Sequence, residues 1–412
     1  MSSEFLIYIR ISGLIFYLRI FIYRRFYKMR KITNKNEALN ELIRGKENVY
    51  YIGDESALNE YIRISKDSMN MLITSVIESE AAMRGCLDIY TLLSGQEETK
   101  GEKERRCLEI ADVLIIYDID TMSQSDFGTL YTLKRMCSRF PRLIIVGDVL
   151  SYIGLGSNYY SSPIQAGEWD SFAFTEIDLR KKRLDIELEE KLESLRMGDK
   201  SVISWLNANC KAGDEPIKLV MSTHKAYEYS LECYNKSKKY TSEYEGVISG
   251  NFYEEDMPTF PNLCLYMGQR VMFVDNDPNG SYMRGDVGYI TGLYTGEVHI
   301  TMNDEVVKVR AVTWHKYKPD YILNELFEEE LVLKDVAEFS QLPIIPADMI
   351  SYRMSRGVRF DSIEFSPITK YEGEFYNYIS HAKSRNGIKL TTKISEEDIK
   401  INKDVIECYL DS

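Results

Sequence analysis

Three apolar stretches of this chain run into residues able to do phosphate or metal chemistry. Asn48–Ile62 reads NVYYIGDESALNEYI, an apolar run into Gly53 followed by a segment able to open a helix. Val113–Asp120 reads VLIIYDID and Arg142–Asp148 reads RLIIVGD, each closing on an acid. Strand, glycine and helix start is the layout in which backbone N–H groups cradle phosphates, in the pattern GxxxxGK(S/T). Counted from Gly53, the second glycine falls at Leu58, the lysine at Asn59 and the hydroxyl at Glu60. Asn59 has no charge to set on a phosphate, and Glu60 repels one. Asp54 and Glu55 add negative charge where such a loop should be neutral. By itself, the segment reads better as an ordinary strand–turn–helix.

The elements that must position these residues alternate in type. Strands are expected at Val49–Ile52, Met71–Val76, Val113–Asp120 and Arg142–Asp148, with helices between them. Continuous apolar runs ending in acids are the mark of buried parallel strands, and the alternation predicts a doubly wound α/β domain. Ligands in that architecture bind at strand C-termini, where Gly53, Asp118 and Asp148 fall. QEETKGEKERR, residues 96–106, reads as an exposed charged linker, and Trp169–Leu206 as a charged helical region. Between Leu263 and Trp314 short β-rich segments with glycine turns predict a small barrel-like insertion, after which α/β patterning resumes.

Composition narrows the class. With 412 residues, 44% of them hydrophobic and 28% charged, the chain is expected to fold into two or three globular domains. A net charge of −13 argues against a broad nucleic-acid-coating surface, because phosphate affinity comes from Lys and Arg. The seven cysteines are never spaced CxxC and the four histidines are scattered. That argues against a zinc site or a disulfide framework and for a reducing, intracellular compartment. Residues 5–27 are apolar yet carry Arg10, Arg19, Arg24 and Arg25. An arginine near mid-span costs at least about 2.5 kcal/mol, so a clean membrane-crossing helix is not expected. A membrane-surface anchor, a partner-docking helix and an upstream extension all remain open for this segment.

The order of the pieces resembles a superfamily 1B helicase of the PIF/RecD/Dda type. NVYYIGDESALNEYI, LITSVIESEAAMRG, VLIIYDIDTMS, RLIIVGDVLS, RLDIELEEKLESLRMGD, LYMGQRVMFVDND with RGDVGYITGL, LPIIPADMISYRMSRGVRFDSI and FYNYISHAKSRNGIKL follow that family's motifs in sequence. Each match is weak, but their shared order and spacing are specific. The resemblance implies two RecA-like α/β domains, 29–165 and 166–262 with 335–412. It also implies an SH3-like β insertion at 263–334 and leaves 1–28 as an apolar, basic extension.

It implies as well that the machinery for ATP and magnesium is degraded. Asn59 and Glu60 stand at the phosphate-loop positions. Asp118 survives as the magnesium-binding acid while its glutamate partner has become Ile119. Ser151 replaces the sensor glutamine and His381 the arginine finger. Asn59, Glu60, Ile119, Ser151 and His381 are thus expected to face one nucleotide cleft, with Gly53, Asp118, Asp148 and Arg183 as its vestiges. Asp120 reads as a strand-end cap. An arginine finger alone is worth about 10³ to 10⁵ in rate, so the combined losses predict no useful turnover and no bound cofactor. Arg353, Arg356, Arg359, Lys383 and Arg385, with Tyr282 and Arg284 in the insertion, are the candidates for contact with single-stranded or forked DNA. Three functions follow: a helicase-like scaffold in a replication or recombination assembly, a purely protein-binding subunit, or a diverged active helicase.

Overall fold

The computed structural model describes residues 29–94, 101–151, 153, 161–210 and 213–412. The segment 5–27 and the first half of the expected linker, 96–100, lie outside the described residues. No helix among the described residues is long and apolar enough to cross a membrane.

The strands β1 (Lys31–Ile32), β2 (Asn48–Gly53), β3 (Met71–Ser75), β4 (Leu87–Asp88), β5 (Val113–Tyr117), β6 (Arg142–Val146) and β7 (Phe174–Leu179) build a seven-stranded sheet in the order β1-β7-β2-β6-β5-β3-β4. Every pairing in it is parallel. Side chains alternate between its faces, so each strand feeds two cores. Leu114 and Ile116 of β5 pack with Leu143 and Ile145 on one face. Val113, Ile115 and Tyr117 pack with Tyr51, Ile144 and Ile177 on the other.

The second half repeats the plan on a smaller scale. β8 (Ile217–Val220) enters a four-stranded parallel sheet, and the chain then leaves it for a long insertion. Within the insertion, β9 (Thr241–Glu245) pairs with β11 (Asn262–Tyr266), and β10 (Val247–Gly250) lies against a long hairpin. β12 (Arg270–Phe273), β13 (Val287–Tyr294), β14 (Glu297–Met302) and β15 (Glu305–Arg310) make an antiparallel sheet that β18 (Ile344–Pro346) completes. The hairpin is β16 (Val312–Leu323) with β17 (Glu329–Gln341). It reaches back to the first domain, where Lys103 pairs with Asp320 and Arg106 with Glu329. β19 (Met349–Ser351), β20 (Ile363–Phe365) and β21 (Ile388–Leu390) then finish the sheet β19-β8-β20-β21.

Several expected boundaries move. β7 belongs to the first sheet, so that domain runs past 165 to Leu179. The insertion spans β9 to β18, wider than 263–334 on both sides. The second half of the charged linker folds into the helix Glu102–Ile110, whose own Cys107 and Leu108 are fully buried. The C-terminal helix Lys403–Asp411 packs Val405 into the first domain's core and sets the Tyr409 hydroxyl on Glu176.

Candidate functional site

The expected phosphate loop is not built as counted. β2 ends at Gly53, and a helix starts at Ser56, leaving only Asp54 and Glu55 as the connection. Gly53 is required here for a packing reason: its φ is +100°, and a Cβ would lie 2.3 Å from the Arg180 backbone nitrogen. Asp54 accepts from the Ser56 amide at 2.8 Å, and Lys181 at 2.7 Å holds its carboxyl down to about 2. Asn59 and Glu60 fall within the helix Ser56–Ser65. Asn59 is exposed, and Glu60 pairs with Arg63 at 2.7 Å on the surface. Neither lines the cleft, and Leu58 is fully buried. The count assumed a loop of ordinary length, and the folded connection is too short to supply one.

Beside Gly53 lies a cleft of about 450 Å³ between the first domain, the second domain and the insertion. Ion pairs internal to the chain fill its charged lining. Glu55 takes both guanidinium nitrogens of Arg84, at 2.8 and 3.1 Å, and that guanidinium also lies 4.0 Å from the Tyr117 ring centroid. β5 delivers Asp118 in the left-handed region, at φ +61°, a conformation that Asp tolerates better than most residues. Asp118 accepts from the Ser75 hydroxyl at 2.7 Å and from Arg356 Nη2 at 3.1 Å. The same Nη2 reaches Asp120 at 2.8 and 3.0 Å. Burial pushes the Asp120 carboxyl up, against the pull of Arg356. Gly147 makes room for this acid, since a Cβ there would sit 2.5 Å from Asp120 Oδ1. Asp148 binds Arg196 through both oxygens, at 2.7 and 2.6 Å. Burial alone would raise the Asp148 carboxyl, but Arg196 holds it below its ordinary value.

Of the expected set, Gly53, Asp118, Asp148, Ser151 and His381 line the cleft. Ile119 is fully buried in the core beneath it. The backbone carbonyl of Ser151 accepts from Asn377 Nδ2 at 2.8 Å. His381 is 5% exposed; its Nδ1 donates to the Val358 carbonyl at 2.7 Å, and burial pulls its pKa down to about 4. Arg183 lies elsewhere, clamped by Glu189 and by the carbonyls of Ser380 and Ala382. Asp120 is not merely a strand-end cap, because it is half of the acid pair facing Arg356.

The DNA candidates do not form an open basic track. Arg356 is in the cleft, and Arg284 gives both terminal nitrogens to Glu80 at 2.5 Å. Tyr282 is 7% exposed and stacks on Phe273, so it is a core residue. Arg353 is drawn toward Ser79 amid Glu78, Glu80, Glu255 and Asp256. Arg359 donates to the Lys181 carbonyl, Lys383 pairs with Asp361, and Arg385 pairs with Asp185 and Glu187. Glu55, Glu80, Arg84 and Asn377 are cleft residues that the sequence reading missed; only the acid in the short loop carried a signal. Folding also brings His315, Asp335 and Glu338 to within 4.8 Å of one another on the exposed hairpin, a grouping that the scattered histidines hid.

None of the family models and none of the curated protein sequences matches this chain. Solved structures do. Bacteroides sp. Pif1 in complex with ADP-AlF4 superposes with a TM-score of 0.77 at 18% identity, over 90% of this chain and 95% of that one. The fold is that of a Pif1 helicase. Unliganded Bacteroides Pif1 gives 0.74 at 18% identity over 91% and 96% of the two chains. Candida albicans Pif1 gives 0.65 at 16% over 92% and 99%. At these identities the Pif1 likeness speaks for the arrangement of sheets and insertion, and the cleft must be judged on its own side chains.

Proposed function

We propose that this chain is a Pif1-like helicase fold that no longer turns over ATP and serves as a scaffold in a DNA replication or recombination assembly. The observation that carries this reading is Arg356 bound to Asp118 and Asp120. The fold leads one to expect a magnesium ion at Asp118, and a guanidinium from the same chain holds that acid instead. ATP with magnesium does not fit the remaining lining. Glu55, Glu80, Asp118, Asp120 and Asp148 face Arg84, Arg284 and Arg356 in the lining and Arg196 behind Asp148, so the cleft has no surplus of positive charge to hold a triphosphate. Among the described residues no lysine lines the cleft, and the short connection after Gly53 offers no loop to wrap phosphates.

Bacteroides Pif1 has been solved bound to single-stranded DNA, and Pif1 helicases on forked duplex DNA, which makes DNA the first partner to test. The pairing of the basic candidates with acids favours a second reading, a protein-binding subunit without DNA contact. Calorimetry with magnesium-ATP and a phosphate-release assay test the main claim, with no binding and no turnover expected. Turnover above background that Asp118→Ala abolishes would refute it. Fluorescence anisotropy with a labelled single strand at low salt separates the two partner readings, since absence of binding leaves only the protein-binding one.

A further inference from the structure

The geometry points to a cleft held shut by the chain itself: Arg356, Arg284 and Arg196 strap the second domain and the insertion onto the first. Each guanidinium spans two units and ends on carboxylates of the first domain. Arg356 is 13% exposed and takes Asp118 and Asp120. Arg196, at 1% exposure, takes both oxygens of Asp148. Arg284 leaves the insertion to bind Glu80, and its Nη2 also donates to the Arg356 carbonyl at 3.3 Å. That last bond couples the straps, because moving the insertion disturbs the backbone of the residue that seals the acid pair. Asn377 adds a neutral link to the Ser151 carbonyl at 2.8 Å.

Domains that close around a ligand need contacts that form and break with it. Here the closing charges belong to the chain, so closure has no ligand dependence. Buried pairs are screened little by salt, unlike surface pairs. Opening would strand buried carboxylates and guanidiniums together, which makes it an all-or-none event and not a gradual loosening. The inference rests on the reading that the cleft has stopped cycling, because a strapped cleft cannot drive steps along a strand.

The test uses the full chain, with small-angle scattering for its dimensions and hydrogen exchange for residues 147–151 and 351–357. Scattering from the parent should match the closed structure equally with and without magnesium-ATP. R356Q and R284Q should each speed exchange in both segments by about tenfold or more while circular dichroism stays unchanged. E80Q should reproduce R284Q, and the E80Q/R284Q pair should be no worse than either alone, as expected for one shared contact. If R356Q fails to fold, R284Q and E80Q give the same reading. Scattering that requires an open form of the parent, closure that follows magnesium-ATP, or unchanged exchange in folded R284Q and E80Q each overturns the strap. ATP turnover by a closed parent would instead sink the functional reading, and an open parent without turnover would sink the strap alone.

Discussion

Replacing Arg356 by methionine removes the cation that, among the described residues, serves both Asp118 and Asp120, at 2.8–3.1 Å. Asp118 keeps the Ser75 hydroxyl at 2.7 Å. Asp120, 5% exposed, loses the guanidinium that offsets its burial. Breaking a buried ion pair by deleting one partner costs about 3–5 kcal/mol. At about 2–4 °C per kcal/mol for a domain of this size, the first unfolding transition should fall by roughly 6–20 °C near pH 8. The deficit should depend on pH in a definite direction. Burial already raises the Asp120 carboxyl in the parent, and removing the guanidinium raises it further. A folded-state pKa above the unfolded one gives stability that is present at low pH and lost as pH rises through the folded value. The variant should therefore recover part of its loss on acidification, as Asp120 takes up a proton. Urea titrations of parent and Arg356→Met across pH 5 to 8, with Arg356→Lys as the charge-retaining control, read this directly. A deficit below about 1 kcal/mol at pH 8, or one that grows as pH falls, would refute the reasoning.

His381 should behave in the opposite sense. Its pKa falls from 6.5 to about 4 in the folded state, so the stability tied to its neutral form is lost as pH falls through that window. The loss is on the order of 3 kcal/mol, and His381→Asn should lack that component in matched thermal melts. Restoring the expected phosphate-loop residues with Leu58→Gly, Asn59→Lys and Glu60→Ser should give no ATP binding by calorimetry. The triple variant should instead lose about 3–5 kcal/mol from the emptied Leu58 site. Gly53→Ala should cost at least about 2 kcal/mol in denaturant titration, because φ is +100° and the Cβ would overlap the Arg180 backbone.

The sequence by itself determined the α/β alternation of the first domain and the β-rich insertion that follows it. Apolar runs such as VLIIY and RLIIV, short, β-branched and closed by Asp118 and Gly147, read as buried strands, and the succession of motifs pointed to the fold they belong to. It did not reveal β7, because FTEIDL carries Glu176 and Asp178, acids held inside by Lys31 and Tyr409 from other segments and by Arg180 just past the strand. Nor did it show that the loop after Gly53 is two residues long, since motif counting presumes the very loop length in question. The charge partners were the furthest out of reach. Arg356 and Asp118 are 238 residues apart, and Arg284 and Glu80 are 204 apart. Local patterns encode strands and helices because those depend on near neighbours. Which guanidinium neutralises which carboxylate depends on where the folded chain crosses itself, and that decided what occupies the cleft.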